Sequence, residues 1–246
     1  MNCLLVDNSN TRTKFALWCE GKGIEVRMAG TCGLSVSSIR NLLADWCFDK
    51  VYICSVVPRA AVLIEQACEP AEVHYLTPGV SPAVDFSSYR GVGTLGADRV
   101  ANVLAAVQQM PLPLVAVDLG TATTYDVVCS RKGVPSFMGG VIAPGIGTMA
   151  ASMQSNTAQL PLVDDWQKTV VIGQDTQEAM GAALRIGYPA MVDATLDAIE
   201  RELGEEIHVV LTGGDAAAIA PLLRRSCQID PLLTLKGIAH AAGIQL

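Results

Sequence analysis

Short apolar runs separated by turns rich in glycine, proline and serine recur along the first half of the chain, which is the pattern of strands buried in a sheet. Two segments between these runs instead repeat their apolar residues with the spacing of a helix. The predicted strands are an N-terminal hairpin (4–7 and 15–18), 24–28, 51–54 and 73–75, and the predicted helices are 35–45, capped by Ser35 or Ser37, and 59–67. The resulting order is three strands, helix, strand, helix, strand, which indicates an α/β protein.

The second half of the chain begins with the same arrangement of elements. Strands are predicted at 114–117, 124–129, 134–142 and 207–211, and helices at 97–107, 146–155, a long region from Gly173 onward, and 216–223. Because both halves start with strand, turn and strand, the sequence predicts two similar α/β domains, residues 1–111 and 112–246.

Each half carries one aspartate at the bend of its first hairpin. Asp7 follows Leu4-Leu5-Val6, and Asp118 follows the run from Leu114 to Val117. Aligned on these acids, both segments have a Val just before the acid, a small residue two positions after it (Ser9, Gly120) and a Thr six positions after it (Thr13, Thr124). This weak repeat predicts a duplicated domain in which the two acids face one another across a cleft.

The hairpin around Asp118 has the chemistry of a phosphate and cation site. Gly120 would let the backbone approach a ligand, the hydroxyls of Thr121, Thr123 and Thr124 can donate hydrogen bonds, and Asp118 can hold a cation. A hairpin rich in Gly and Thr can equally be an ordinary turn, and local sequence leaves both interpretations open.

A second candidate site begins where the irregular stretch 77–94 leads into a helix. Gly96 allows close approach, and Asp98 and Arg99 fall in the first turn of that helix, where we expect them to point at the contents of the cleft. The alternative is that Asp98 only stabilises the N-terminus of the helix, and the local sequence does not choose between the two roles.

Two further glycine clusters interrupt predicted strands or follow them. The segment from Gly139 to Gly145 indicates either a bulge or a wall against which a ligand lies. The pair Gly213-Gly214, after a strand and before a helix, leaves room for a flat ligand such as a nucleobase.

Composition narrows the class of protein. A chain of 246 residues with 50% hydrophobic content can bury a substantial core, while a net charge of −7 argues against nucleic-acid or anionic-membrane partners. No signal peptide or membrane span is apparent. The eight cysteines contain no CxxC and indicate reduced thiols of a cytoplasmic protein, and the three histidines lie too far apart in sequence to form a ligand set.

Taken together, these motifs resemble the type III pantothenate kinases, members of the superfamily of acetate and sugar kinases, heat-shock chaperones and actin. The matching elements are Asp7 to Lys14 (the family's DxGNTxxK), Tyr89 with Gly96-Ala97-Asp98-Arg99, Asp118 to Thr124 (DxGTATT), Gly139 to Gly145, and Gly173 to Thr176. The resemblance implies two RNase-H-like (actin-like ATPase) domains with a nucleotide cleft between them. It also implies ATP-dependent phosphorylation of the terminal hydroxyl of pantothenate to 4′-phosphopantothenate, the first step of coenzyme A biosynthesis.

The same resemblance implies a role for each matched residue. Asp98 is the general base for the substrate hydroxyl, Asp118 binds a monovalent cation (K⁺ or NH₄⁺), and Asp7 holds Mg²⁺ through water. The residues implied to contact pantothenate are Tyr89, Gly96, Ala97, Asp98, Arg99 and Thr176, and those implied to bind ATP are Asp7, Asn8, Ser9, Asn10, Thr11, Arg12, Thr13, Lys14 and Thr121. Because members of that family are typically homodimers, the resemblance also implies a homodimer.

One departure from the family pattern affects the ATP-binding motif. Ser9 stands where the family has Gly, and Asn8 replaces an apolar residue. If that backbone position requires a positive φ or direct approach to phosphate, Ser9 would weaken ATP binding. Two rival interpretations are a nucleotide-binding or regulatory protein on the same fold without turnover, and a kinase for another small hydroxylated substrate.

Overall fold

The computed structural model describes residues 2–163, 165–167 and 170–245. In chain order, the first half contains β1 (Asn2–Asn8), β2 (Arg12–Cys19), β3 (Gly23–Gly30), α1 (Val36–Leu42), β4 (Lys50–Ser55), α2 (Pro58–Cys68), β5 (Glu72–Tyr75) and α3 (Ala97–Gln109). The second half contains β6 (Leu114–Leu119), β7 (Ala122–Arg131), β8 (Val134–Pro144), α4 (Ile146–Ser155), α5 (Thr176–Leu203), β9 (His208–Thr212), α6 (Ala216–Ile219), β10 (Gln228–Ile229) and α7 (Leu233–Ala241).

The chain forms two compact units, and the first comprises Met1–Leu112, Val128–Gly139 and Leu232–Leu246. Its sheet has the order β3-β2-β1-β4-β5, in which β1, β2 and β3 are antiparallel and β1, β4 and β5 are parallel. Apolar residues of β1, β2 and β4 are buried in its core together with Ile39 of α1 and Ile64 of α2, whereas Val26 and Met28 of β3 are exposed.

Local chemistry explains where the helices of the first unit begin. The Ser35 hydroxyl accepts a hydrogen bond from the Ser38 amide, and the Ser38 hydroxyl accepts one from the Ser35 amide, so the predicted cap at Ser35 is confirmed as a capping box. Pro58 starts α2, where its missing N–H costs nothing.

Helix α7, which the hydrophobic pattern did not predict, belongs to this first unit and packs on α3. A side chain at Gly237 would run into the backbone of Ala101, so the two helices touch through glycine. The buried Thr234 hydroxyl donates to Asn102 Oδ1 at 2.8 Å.

The second unit comprises Pro113–Val127 and Gly140–Pro231. The second sheet, whose strands β7 and β8 lie partly in the first unit, has the order β10-β9-β6-β7-β8. Its first strand, β6, lies between β7-β8 on one side and the parallel strands β9 and β10 on the other. The first strand of the other sheet, β1, has the same neighbours in the same chain order. The predicted fold class, two similar α/β halves, is therefore confirmed.

The predicted helix 216–223 is shorter than expected. It comprises the four residues of α6 followed by a 3₁₀ turn over Ala220–Leu222, because Pro221 has no N–H with which to continue the α-helical ladder. The long helix α5 is capped at its start by the Asp175 carboxylate and ends at Gly204, which is left-handed at φ +71°. Among the described residues, no helix has both the length and the apolar character of a membrane span.

Candidate active site

Asp7 lies at the carboxyl end of β1 and is 7% exposed. It faces Lys14 on the neighbouring strand, with 3.4 Å between Asp7 Oδ2 and Lys14 Nζ. Burial raises the pKa of Asp7; the Lys14 charge opposes this shift and the nearby Asp98 charge adds to it. The structure therefore brings two of the three predicted carboxylates, Asp7 and Asp98, close enough to repel one another.

Asp98 lies in the first turn of α3, and its position depends on Gly96. A Cβ atom on Gly96 would lie 2.5 Å from Asp98 Oδ1, so a larger residue there would displace the carboxylate. The same oxygen accepts a hydrogen bond of 2.8 Å from the Arg99 amide. Burial raises the pKa of Asp98, while the Arg99 amide and charge oppose the rise. Asp98 thus satisfies an amide of the helix N-terminus and is also a partly buried carboxylate with a raised pKa.

A buried chain of hydrogen bonds supports the turn after Asp7. Asn8, 1% exposed, donates through Nδ2 to Thr13 Oγ1 at 2.7 Å and accepts at Oδ1 from the Ser55 hydroxyl at 2.6 Å. The Thr13 and Thr31 hydroxyls lie 3.0 Å apart, and the Thr31 hydroxyl donates to the Ser9 carbonyl at 2.7 Å. Sequence reasoning missed Thr31 and Ser55, because single hydroxyl residues at strand ends carry no local signal of a shared network.

Ser9 occupies an ordinary backbone conformation. Among the described non-glycine residues, Lys132 is the one with a positive φ, so the turn does not require a left-handed residue at Ser9. The Ser9 amide and hydroxyl both donate to the Arg12 carbonyl, at 3.1 and 2.9 Å. The tip residues Asn10, Thr11 and Arg12 are exposed, whereas Lys14 is half-buried beside Asp7.

Tyr89 and Arg99 also lie in the first unit, on either side of a residue that sequence reasoning did not single out. The ring centroids of Tyr89 and Phe137 are 5.0 Å apart, and the Arg99 guanidinium carbon is 5.7 Å from the Phe137 ring centroid. Phe137 lies on β8. In that part of the sequence, only the segment from Gly139 to Gly145 was considered as a candidate ligand contact. The predicted substrate residues Gly96, Ala97, Asp98 and Arg99 are grouped at the start of α3.

Asp118 belongs to the second unit, where it is the penultimate residue of β6 and lies opposite Thr212 of β9. Glycines allow the backbone to pack closely around it. Gly213 has φ +94°, and a Cβ atom there would lie 2.5 Å from Asp118 Oδ1. A Cβ atom on Gly145 would run into the Gly120 carbonyl. The space at Gly213 is therefore filled by the Asp118 carboxylate, whereas a Cβ atom on Gly214 would meet no described atom within 4 Å.

Two threonines of this hairpin, Thr121 and Thr123, differ in their surroundings. Thr121 is exposed, and its carbonyl accepts a 2.6 Å hydrogen bond from the Thr148 hydroxyl. Thr123 is fully buried, and its hydroxyl lies 2.6 Å from the Tyr188 hydroxyl of α5. The expectation that Thr123 donates to a ligand is therefore wrong, because that hydroxyl points into the protein.

Thr176 is the first residue of α5 in the second unit and is exposed. The preceding residue, Asp175, accepts a 2.8 Å hydrogen bond from the Glu178 amide, so the acidic residue found there serves as a helix cap. The expected convergence of Asp118 with Asp7 and Asp98, and of Thr176 with Tyr89 and Arg99, stays a prediction. Over the described part of the chain, no three His, Cys, Asp or Glu side chains cluster as metal ligands.

Comparisons with known proteins agree with the motifs and the fold. The family model described as type III pantothenate kinase matches residues 3–198. A type III pantothenate kinase from Akkermansia muciniphila is 39% identical over 248 residues, covering 100% of both chains.

Solved structures show the fold alone, since their sequence identities are low. A Baf family protein from Campylobacter jejuni has a TM-score of 0.62 at 20% identity, covering 98% of this chain and 97% of that one. A ROK family glucokinase from Streptomyces griseus, solved with glucose and AMPPNP, has a TM-score of 0.57 at 11% identity, covering 98% of each chain. By the extent of the family match and of the shared identity, this chain belongs to the type III pantothenate kinase family.

Proposed function

We propose that this chain transfers the γ-phosphoryl group of ATP to the terminal hydroxyl of pantothenate, with Asp98 accepting the hydroxyl proton. The observation that carries the proposal is the proximity of two carboxylates in one unit, the partly buried Asp98 at the start of α3 and the buried Asp7 at the end of β1. A phosphoryl-transfer site needs one group to take a proton and a separate group to organise cations around phosphate.

The surroundings of Asp98 suit a proton acceptor. A primary alcohol is a poor nucleophile at neutral pH, so a positioned carboxylate assists by accepting its proton as the bond to phosphorus forms. Burial raises the pKa of Asp98 and so makes it a stronger base than an exposed aspartate. Gly96 supports this role, because its lack of a side chain leaves space for the carboxylate.

The surroundings of Asp7 suit a cation brought in with ATP. Its carboxylate is buried near a second negative charge, and its Oδ2 pairs with Lys14. Mg²⁺, which prefers carboxylate and water oxygens, fits this excess of negative charge and would neutralise charge on the phosphates. We assign Lys14 to the phosphates as well, together with the exposed turn residues Asn10, Thr11 and Arg12, and Thr121 of the second hairpin.

We assign the monovalent cation, K⁺ or NH₄⁺, to Asp118. The support is a half-exposed carboxylate at the end of β6, held against the backbone by Gly213. We assign the pantothenate site to Tyr89, Gly96, Ala97, Asp98, Arg99 and Thr176. For Thr176, the assignment depends only on the match to the family motif.

We further propose a homodimer, a cytoplasmic location and a duplication boundary between residues 111 and 112. The second unit exposes large apolar side chains, among them Ile142 at 63% and Ile186 at 50%, which favours a protein partner. ATP is a cytoplasmic substrate. The shared strand order of the two sheets supports the boundary.

The decisive experiment measures ADP release with Mg²⁺ and K⁺, with and without pantothenate, by wild type and Asp98→Asn. We expect pantothenate-dependent ADP release that the substitution reduces by about 10²–10⁴-fold, the contribution usual for a general base. Omitting K⁺ should lower the rate. ATP binding without pantothenate-dependent release would favour the regulatory interpretation, and release with another alcohol would favour a different substrate. Wild-type rates in the variant would contradict the role of Asp98.

The pH dependence offers an independent check on Asp98. The carboxylate must be ionised to accept a proton, and its pKa is raised, so wild-type kcat/KM should fall toward low pH earlier than an ordinary aspartate would cause. When folding raises the pKa of a carboxyl group, the ionised group lowers the stability of the folded state at neutral pH. We therefore expect Asp98→Asn to keep or raise the thermal midpoint at pH 7, so that lost activity is not lost folding.

A further inference from the structure

The irregular stretch 77–94, which carries Tyr89, is hydrogen-bonded to the beginning of β8. The Asp85 amide donates to the Pro135 carbonyl at 2.8 Å, and the Phe137 amide donates to the Asp85 carbonyl at 2.9 Å. These two hydrogen bonds form a short parallel bridge between Asp85 and Ser136. A segment from the second half of the sequence therefore fixes the backbone of the stretch four residues before Tyr89.

An aromatic cluster continues this attachment through side chains. Phe137 is fully buried, and its ring meets Phe86 at a centroid distance of 5.5 Å and Tyr89 edge-on at 5.0 Å and 73°. A Cβ atom on Gly91 would lie 3.1 Å from Tyr89 Cε1, and one on Gly139 would lie 3.5 Å from Tyr89 Cε2. The Tyr89 ring is thus confined by two glycines and by the ring of Phe137.

The same Phe137 ring also contacts Arg99. Arg99 is 7% exposed, and its guanidinium carbon lies 5.7 Å from the ring centroid, within range of a cation–π interaction. Arg99 follows Asp98 directly and donates its amide to that carboxylate. Phe137 therefore contacts two residues assigned to the substrate, one of which adjoins the proposed base.

We propose that Phe137 is a positioning residue for the hydroxy-acid substrate: it holds the Tyr89 ring and the Arg99 guanidinium in the orientation that the substrate meets. The proposal rests on the function proposed above for Tyr89 and Arg99. Phe137 is buried and acts only through these two neighbours. Its effect should fall on the affinity for the hydroxy acid and not on the affinity for ATP.

The test compares Phe137→Leu with Ile64→Val, a substitution of a fully buried residue of α2 that lies in the core behind the first sheet. Pantothenate affinity is measured by calorimetry without ATP and as KM during turnover, and the thermal midpoint is recorded for both variants. We expect Phe137→Leu to weaken pantothenate binding by about 5- to 20-fold, the size of one aromatic pair plus one cation–π contact, with KM for ATP within about 2-fold of wild type. Ile64→Val should lower the thermal midpoint and leave both substrates' affinities within about 2-fold.

A double-mutant cycle separates positioning from general loss of packing. If Phe137 acts partly through Tyr89, the combined loss in Phe137→Leu/Tyr89→Leu should be clearly smaller than the product of the single losses. Equal weakening of pantothenate and ATP binding, unchanged pantothenate binding in Phe137→Leu, or independent effects of the two substitutions in the cycle would each overturn the proposal. If the Leu variant does not fold, Phe137→Met, which fills similar volume with a flexible chain, carries the same expectations.

The wild-type measurement distinguishes failure of this inference from failure of the proposed function. Wild type that neither binds pantothenate nor releases ADP with it would contradict the proposed function directly. With an active wild type, the variants alone decide the role of Phe137.

Discussion

The two acid-bearing hairpins, β1–β2 around Asp7 and β6–β7 around Asp118, come from the same sequence pattern and are held in different ways. In the first hairpin, side-chain hydrogen bonds support the turn: the buried Asn8 side-chain amide bonds both Thr13 and Ser55, and the Thr31 hydroxyl donates to the Ser9 carbonyl. The second hairpin also has side-chain hydrogen bonds, from Thr148 to the Thr121 carbonyl and between Thr123 and Tyr188. Its distinctive feature is close backbone packing, because Gly145 and Gly213 have no side chains to separate the backbone from Gly120 and Asp118.

This difference explains the departure from the family motif. A turn fixed by surrounding hydroxyl and amide groups, with no left-handed residue at position 9, accepts Ser9 without strain. A turn fixed by contact between backbone atoms has no space for a larger residue. The two halves of a duplicated fold can therefore keep an aspartate in the same place by different means, with different tolerance to mutation.

The largest effect is expected at Gly145. Gly145→Ala would force a methyl group into the Gly120 carbonyl, and neither backbone can yield without moving the turn after Asp118. We expect a loss of about 3 kcal/mol or more in stability, a lower thermal midpoint, and a fall in kcat of about 10²-fold from misplacement of the hairpin. Calorimetry measures the thermal midpoint and the stability, and the ADP-release assay measures kcat.

Gly147→Ala, two residues further on in α4, is the matched control. A Cβ atom there meets nothing described within 4 Å, and alanine is the better helix former, so the thermal midpoint should stay or rise. If Gly145→Ala is as stable as Gly147→Ala, the second hairpin is not held by close backbone contact.

An intermediate effect is expected at Thr13. Thr13→Val keeps the shape but removes the hydroxyl that accepts from Asn8 and contacts Thr31, leaving buried polar atoms without a partner. The expected cost is about 1–3 kcal/mol with a raised KM for ATP. Chemical denaturation and steady-state kinetics provide these values.

The corresponding control is Thr124→Val in the second hairpin, where the hydroxyl makes a long 3.4 Å contact with Asp126 Oδ2. We expect it to cost less than Thr13→Val. Equal costs would mean that side-chain hydrogen bonds support both hairpins to the same extent.

The smallest effect is expected at Ser9. Ser9→Gly introduces the family residue and removes an exposed hydroxyl bond to the Arg12 carbonyl, at a cost of about 0.5–1 kcal/mol. KM for ATP should stay within about 2-fold of wild type in coupled-assay kinetics. A gain of 5-fold or more in ATP affinity would show that the Ser9 side chain obstructs phosphate, as the motif comparison first suggested.

Periodicity and turn chemistry were sufficient to predict most strands and helices, the cap at Ser35 and the pairing of like halves, because these depend on neighbours in sequence. The motifs and the family resemblance led us to expect Asp7 and Asp98 at one cleft, and the Asp98 charge does act on Asp7. Contacts between segments distant in sequence could not be predicted. The contacts of Phe137 with Tyr89 and of Gly237 with Ala101 depend on the tertiary arrangement, and neither segment alone contains a pattern that indicates them.

The membership of α7 in the first unit affects how the protein is made. A ribosome completes β1, β4 and α3 early, yet α7, which packs against all three, follows the strands and helices of the second unit in the chain. Until then, part of the apolar surface of the nascent first sheet and of α3 stays uncovered, a state prone to aggregation. Cotranslational folding of the first unit should therefore finish only after α7 has left the ribosome, and a holdase that shields α3 would improve the yield of native enzyme.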